Sequence, residues 1–382
     1  MKKNFLFRLS AIAMSLILVA CGGSTSEDVV ENETTAIESE ESLNVVVTTP
    51  MLGEFVKQVA GDSVVLDILM PAEADPHTYD PSPQDAAKIA DADIVLYVGI
   101  KYETSSLLKL IENTASTNAT LLEIGEEIDP IEFIDGERDH GHHDDHDEEG
   151  HDDDKDHDHD DEDGHDDHDD EDGHDDHDEE GHDDEDGHDD HDEEGHEGHE
   201  GHDHGSEDPH FWFDPVRVAM AVEVIKDSLV SLDPANSSTY EANADNFISE
   251  LTDLDAQVKE LIESVSEDNR KIVTTHEALG YLEARYGIEI FATIIPSLST
   301  ADEISPSQIA DVIDVIEDNN IKVLFVESEA PSVYAETVAA EAGITAVTGL
   351  YVETLKDGQT YSDFLISNVT LIVESLNSAG EG

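Results

Sequence analysis

The stretch "LNVVVTTPMLGEFVKQVAGDSVVLDILM", residues 43–70, carries the rhythm that decides the fold. "LNVVVTT" is a short, nearly continuous apolar run, the pattern of a strand buried on both faces. "PMLGEFVKQVAG" spaces its apolar residues as a helix does, opens on Pro50 and stops at Gly61. "VVLDILM" is a second strand. The same alternation continues with "SPQDAAKIADA", a helix opened by Ser82-Pro83, and "DIVLYVG", a third strand. A β-α-β rhythm predicts a parallel sheet with helices on both faces.

A second series of the same kind lies downstream. "KIVTT" is a strand, "EALGYLEARYG" a helix, "EIFATII" a strand, and "SPSQIADVIDVIEDNN" a helix opened by Ser305-Pro306. "KVLFVE", the helix "PSVYAETVAAEAG", the strand "ITAVTG" and a last helix near "YSDFLISNVTLIVESLN" complete it. Between the two series stand the amphipathic helices "PVRVAMAVEVIKDSLVSL" and "YEANADNFISELTDLDAQVKELIESV", the second long enough to bridge two lobes. The expected fold is α/β: two similar lobes, each a mainly parallel sheet flanked by helices, with a cleft between them. Their expected limits are residues 43–237 and 267–382, joined by one long helix over 238–266. Loops leaving the carboxyl ends of such strands are where ligands bind.

The chain begins "MKKNFLFRLSAIAMSLILVAC". Lys2, Lys3 and Arg8 precede an apolar core from Leu9 to Ala20, too short to span a bilayer comfortably and typical of a signal peptide over residues 1–20. "LVAC" resembles the lipobox of bacterial lipoproteins, which implies that Cys21 becomes the lipidated first residue of the mature chain. Cys21 is the only cysteine, so no internal disulfide forms. Residues 21–42 have the composition of a flexible acidic tether.

The 382 residues carry a formal charge of −79 and are only 37% hydrophobic. One block explains much of both values. Between Asp139 and His204 stand 38 acidic residues and a single lysine, with no apolar residue from His140 to His204. Such a segment has nothing to bury against the entropy of ordering, so residues 137–206 are expected to be a disordered insertion in the first lobe. The charge excludes nucleic acid as a partner and attracts cations.

The histidines are distributed unevenly. Of 21, 18 lie between His140 and His204, leaving His77, His210 and His276. The 18, among them His142, His143, His146, His165, His168, His174, His177, His188 and His191, alternate with carboxylates in "GHDDHDEE" units. They are expected to form weak accessory metal sites that raise the local metal concentration. His77 in "EADPHTYDPSPQD" and His210 in "EDPHFWFDP" share one frame, Asp-Pro-His, an aromatic within two residues, then Asp-Pro. Proline fixes φ and biases its neighbours to extended geometry, so these loops should hold their imidazoles in place. His276 follows the strand "KIVTT". Three fixed imidazoles from separate segments suit a borderline-soft dication such as Zn(II). Phe211 and Trp212 are expected to pack around the site.

The motifs "DPHTYDPSPQD", "DPHFWFDP", "THEALGYLEARYG" and "VTGLYVETL", in that order, resemble the cluster A-I solute-binding lipoproteins of bacterial ABC transporters for zinc and manganese. The resemblance covers essentially the whole chain beyond the tether, the acidic histidine-rich insertion included. It implies two α/β lobes on one backbone helix, a metal ion held between them, and His77, His210 and His276 as ligands. A histidine at the third position points to zinc, with Mn(II) second. The family's fourth ligand is usually an aspartate. Here Glu353 is the nearest carboxylate, as a direct ligand or standing back behind a water, with Asp357 the fallback in the same loop. Glu327 ends the strand "KVLFVE", where it either hydrogen-bonds a ligand imidazole or caps the following helix, the latter being the simpler expectation.

The resemblance also implies a monomer anchored through its lipid outside the cytoplasm, on the periplasmic or outer face of the cell membrane. There it would capture Zn(II) and deliver it to an ABC transporter permease without performing chemistry. Two other readings remain beside this one. A zinc hydrolase would need a general base; there is no HExxH motif, and the only candidate is Glu277, whose simpler role is to cap the following helix. A zinc-buffering surface lipoprotein or adhesin would use the histidine-rich insertion as its main functional part.

Overall fold

The computed structural model describes residues 42–133, 207–301, 304–329 and 333–380. The signal peptide, Cys21, the tether and the insertion with its 18 histidines lie outside the described residues.

Two four-stranded parallel sheets organise the molecule. In the first lobe, β1 (Leu43–Val47), β2 (Val64–Ile68), β3 (Ile94–Tyr97) and β4 (Thr120–Glu123) pair in the order β2-β1-β3-β4. In the second, β5 (Lys271–Thr274), β6 (Glu289–Thr293), β7 (Val323–Glu327) and β8 (Thr345–Leu350) repeat it as β6-β5-β7-β8. In each sheet the chain reverses its direction of winding between the first and third strands. The crevice beyond the carboxyl ends of those two strands is where an open α/β sheet binds ligands.

Local chemistry explains the helices. In α1 (Pro50–Ala60), Thr49 Oγ1 accepts the Leu52 amide and the chain leaves at Gly61 with φ 57°. Ser82 and Asp85 form a reciprocal capping box for α2 (Pro83–Ala90), and Ser305 and Gln308 do so for α7 (Pro306–Asp318). Asp214 caps α4 (Pro215–Leu232), which leads to α5 (Ser237–Glu263). At 27 residues, α5 extends about 40 Å. α5, with its buried stripe of Tyr240, Ala244, Phe247, Leu251, Leu254, Val258 and Ile262, packs against α1, α4 and α9 (Tyr361–Gly380). One continuous apolar core therefore contains Val45 and Phe55 from the first lobe together with Phe325 and Phe364 from the second.

The sequence reading missed α3 (Ser105–Thr114) and β4. β4 is a four-residue edge strand, "TLLE", and Leu121 is substantially exposed, so no apolar run announces it. The helix expected from Glu277 also starts late, since α6 covers Gly280–Tyr286 and residues 277–279 are not helical. Glu277 does not cap it: its buried carboxylate accepts the Thr293 hydroxyl at 3.0 Å. The remaining second-lobe helix, α8, spans Val333–Ala342.

Candidate metal centre

Four loops converge on one point between the lobes. His77 stands between β2 and α2, and His210 lies just before the single-turn helix Phe211–Phe213 that leads into α4. His276 lies two residues beyond β5, at the reversal point of the second sheet, and Glu353 lies between β8 and α9. One ligand atom from each falls within 4.8 Å of all the others. His210, His276 and Glu353 are buried, and the His77 side chain is only 3% exposed. A cavity of about 290 Å³, lined by His77, Tyr102, Thr104 and Ser299 among others, adjoins the cluster on the His77 side.

The nitrogens converge on Glu353. His77 Nε2 is 3.5 Å, His210 Nε2 3.4 Å and His276 Nε2 2.7 Å from Glu353 Oε1. None of these approaches has the direction of a hydrogen bond, so all three Nε2 atoms and both Glu353 oxygens are buried without a hydrogen-bond partner. Buried polar atoms are normally hydrogen-bonded, and five around one point that are not are the mark of a cation site.

The opposite ring nitrogens are held by carboxylates. Asp208 Oδ1 lies 2.8 Å from His210 Nδ1 and also accepts the His210 amide at 2.9 Å. Glu327 pairs with His276 Nδ1 and takes the His276 amide at 3.1 Å. The expectation that Glu327 caps a helix is corrected: the strand end that carries it adjoins the strand that delivers His276, and its carboxylate turns inward. A carboxylate on Nδ1 selects the Nδ1–H tautomer and leaves the Nε2 lone pair aimed at the centre.

The charges are mutually adapted. Burial by itself lowers the His210 pKa, but the Glu353 charge and the Asp208 bond outweigh it and hold the imidazole at about 9. His276 is likewise held well above its ordinary value, burial being overcome by Glu327 and Glu353. For Glu353, burial is outweighed by His210, His77 and His276, and its pKa falls well below the usual carboxylate range. Glu329 behaves differently. Burial and the Glu353 charge push it up to about 8, and its Oε1 has no hydrogen-bond partner.

Asp208 was missed in the sequence reading, although a signal was present. In both "DPH" motifs the aspartate accepts the amide of the histidine two residues on, Asp75 Oδ1 from His77 and Asp208 Oδ1 from His210, each at 2.9 Å. The structure brings His77, His210, His276 and Glu353 together and leaves Asp357 exposed outside the cluster. Glu277 is not among the converging groups. Trp212 does more than fill space, because its indole N–H donates to Val352 O at 2.7 Å in the loop that carries Glu353.

A model of the family described as ZnuA, zinc-uptake complex component A, periplasmic, matches residues 45–375. The manganese-binding lipoprotein MntA of Halalkalibacterium halodurans is 24% identical over 381 residues, covering 98% of this chain and 99% of that one. The iron ABC transporter substrate-binding lipoprotein MtsA of Streptococcus pyogenes is 24% identical over 384 residues, 98% and 99% of the two chains. Among solved structures, the periplasmic zinc-binding protein TroA of Treponema pallidum superposes with a TM-score of 0.65 at 20% identity, over 87% of this chain and 98% of that one. The two-lobe α/β fold is thus a known one.

Proposed function

The chain belongs to the ZnuA family of metal-binding, substrate-binding proteins of ABC transporters, and from that premise we propose that its cargo is Zn(II), held by His77, His210, His276 and Glu353. Proteins of this family work with a membrane permease and are not enzymes. The observation that carries the cargo reading is the convergence of three Nε2 atoms and a carboxylate, none of them hydrogen-bonded, in a buried site. Three neutral nitrogens and one carboxylate suit a borderline-soft ion, whereas Mn(II) favours a site richer in oxygen. The zinc named in the family description and in TroA supports this choice, and the names of MntA and MtsA make manganese and iron the ions to run against it.

The same reading takes Cys21 as the lipid anchor, in line with the relatives named as lipoproteins, and the acidic histidines as a loose collecting device outside the cleft. It also takes residues 43–237 and 267–382 as the lobes and 238–266 as their link, which the repeated strand order supports.

Trp212, the chain's one tryptophan, lies edge-on to His210 with ring centroids 5.6 Å apart, so its fluorescence reports on the cleft and not on the insertion. Titration of the full chain with Zn(II), Mn(II) and Fe(II), each in competition with a chelator, should give one tight Zn(II) transition in Trp212 emission. The His276→Ala variant should lose it. A tighter transition with Mn(II) or Fe(II) would reassign the cargo, and an unaltered Zn(II) transition in the variant would remove His276 from the site.

A further inference from the structure

Tyr102 lies in the first lobe, between β3 and α3, and is 1% exposed. Its ring stands edge-on to His77 at 5.3 Å, to His210 at 5.8 Å and to Trp212 at 5.2 Å. Its hydroxyl crosses to the second lobe and donates to the backbone carbonyl of Glu353 at 2.9 Å. One side chain thus touches two of the converging imidazoles and holds the main chain of the residue that faces them.

Both ends of this connection are firmly mounted. On the Tyr102 side, Gly99, Ile100 and Lys101 all have positive φ, 77°, 50° and 59°. That strained path is fastened by Glu103, whose buried carboxylate accepts from Val98 N, Gly99 N and Thr48 Oγ1 at 2.7, 2.9 and 2.6 Å. On the Glu353 side, Asn368 of α9 accepts the Tyr351 amide at 3.1 Å and donates to the Tyr351 carbonyl at 2.7 Å. The Tyr102 hydroxyl therefore joins an anchored loop of the first lobe to an anchored loop of the second, and moving those loops apart breaks its bond.

We propose that Tyr102 is a positioning residue that sets the rate of metal release: its hydroxyl ties the Glu353 loop to the first lobe, and the cleft opens only as that tie breaks. The proposal rests on the reading of the four-residue cluster as the cargo site. The two are separable, because the ligands determine whether metal binds and the hydroxyl determines how fast it leaves. In the Tyr102→Phe variant the ring packing survives and a buried carbonyl loses its donor.

The test loads the full chain with one equivalent of Zn(II), adds excess EDTA and follows Trp212 emission in a stopped-flow instrument. The Tyr102→Phe variant should retain one-to-one binding and release zinc about ten-fold faster than wild type. Tyr240→Phe is the control. Tyr240, near the start of α5, is also buried, and its hydroxyl donates at 2.7 Å to Oδ2 of Asp233, the residue that follows α4. It should lower the melting temperature of the metal-free protein yet leave release at the wild-type rate. Release from Tyr102→Phe within two-fold of wild type would overturn the proposal, and so would equal acceleration by Tyr240→Phe. If wild type shows no zinc transition at all, the cargo reading fails and this proposal with it.

Discussion

Each of two imidazoles in the cluster has a carboxylate on its Nδ1, Asp208 for His210 and Glu327 for His276, and both bonds are buried. Removing such an outer partner typically weakens a metal site 10–100-fold without abolishing it. Glu327→Gln should therefore keep one zinc per chain in the competition titration and fall within that range. The metal-free cluster also dictates a pH profile. His210, raised from 6.5 to about 9, contributes stability that is complete below about 6.5 and is lost as the pH rises through about 9. Glu353, lowered from 4.5, contributes stability present above about 4.5 and lost as the pH falls through its depressed value. These groups make the metal-free protein most resistant to urea between about pH 4.5 and 6.5, a window that denaturation midpoints across pH would test. At pH 7 His210 is protonated before metal arrives, so zinc uptake should release protons, visible as a dependence of the calorimetric heat on the buffer's ionisation enthalpy.

At the scale of elements, His77, His276 and Glu353 come from loops that follow parallel strands, while His210 comes from the turn that leads into α4. The Asp-Pro-His frame was legible because proline restricts the backbone, whereas the closing of each turn by the aspartate on the histidine amide emerged only from the structure. α5 was legible for its length and stripe, while α3 and β4 were not read, since a four-residue edge strand has no periodicity long enough to recognise. The β3–α3 loop shows why a glycine matters here. A Cβ at Gly99 would come within 1.9 Å of Glu123 Oε1, and φ is 77°. Gly99→Ala should lower the urea midpoint by an amount worth more than about 1 kcal/mol. In α5, Leu251 is 1% exposed in the apolar core. Leu251→Ala should cost about 2–5 kcal/mol in the same measurement, with zinc stoichiometry unchanged in the folded fraction.

For the whole molecule, a core continuous through both lobes predicts that the metal-free chain unfolds in one calorimetric transition rather than two. Zinc held by the four converging residues stabilises only the folded state, so free zinc at 1,000 times the Kd of that site should add about 4 kcal/mol and raise the melting temperature with metal concentration. The sequence by itself determined the α/β alternation, the repeat of that alternation, the long helix between, and the three histidines apart from the acidic block. These are local properties, carried by periodicity, proline and composition within short windows. Only the tertiary structure decided that Glu353 and not Asp357 faces those histidines, that Glu327 turns onto His276 rather than capping a helix, and that Tyr102 reaches Glu353 across 251 residues of chain. Those outcomes depend on which strand ends lie side by side and which side chains burial leaves without water. Neither follows from neighbours along the chain.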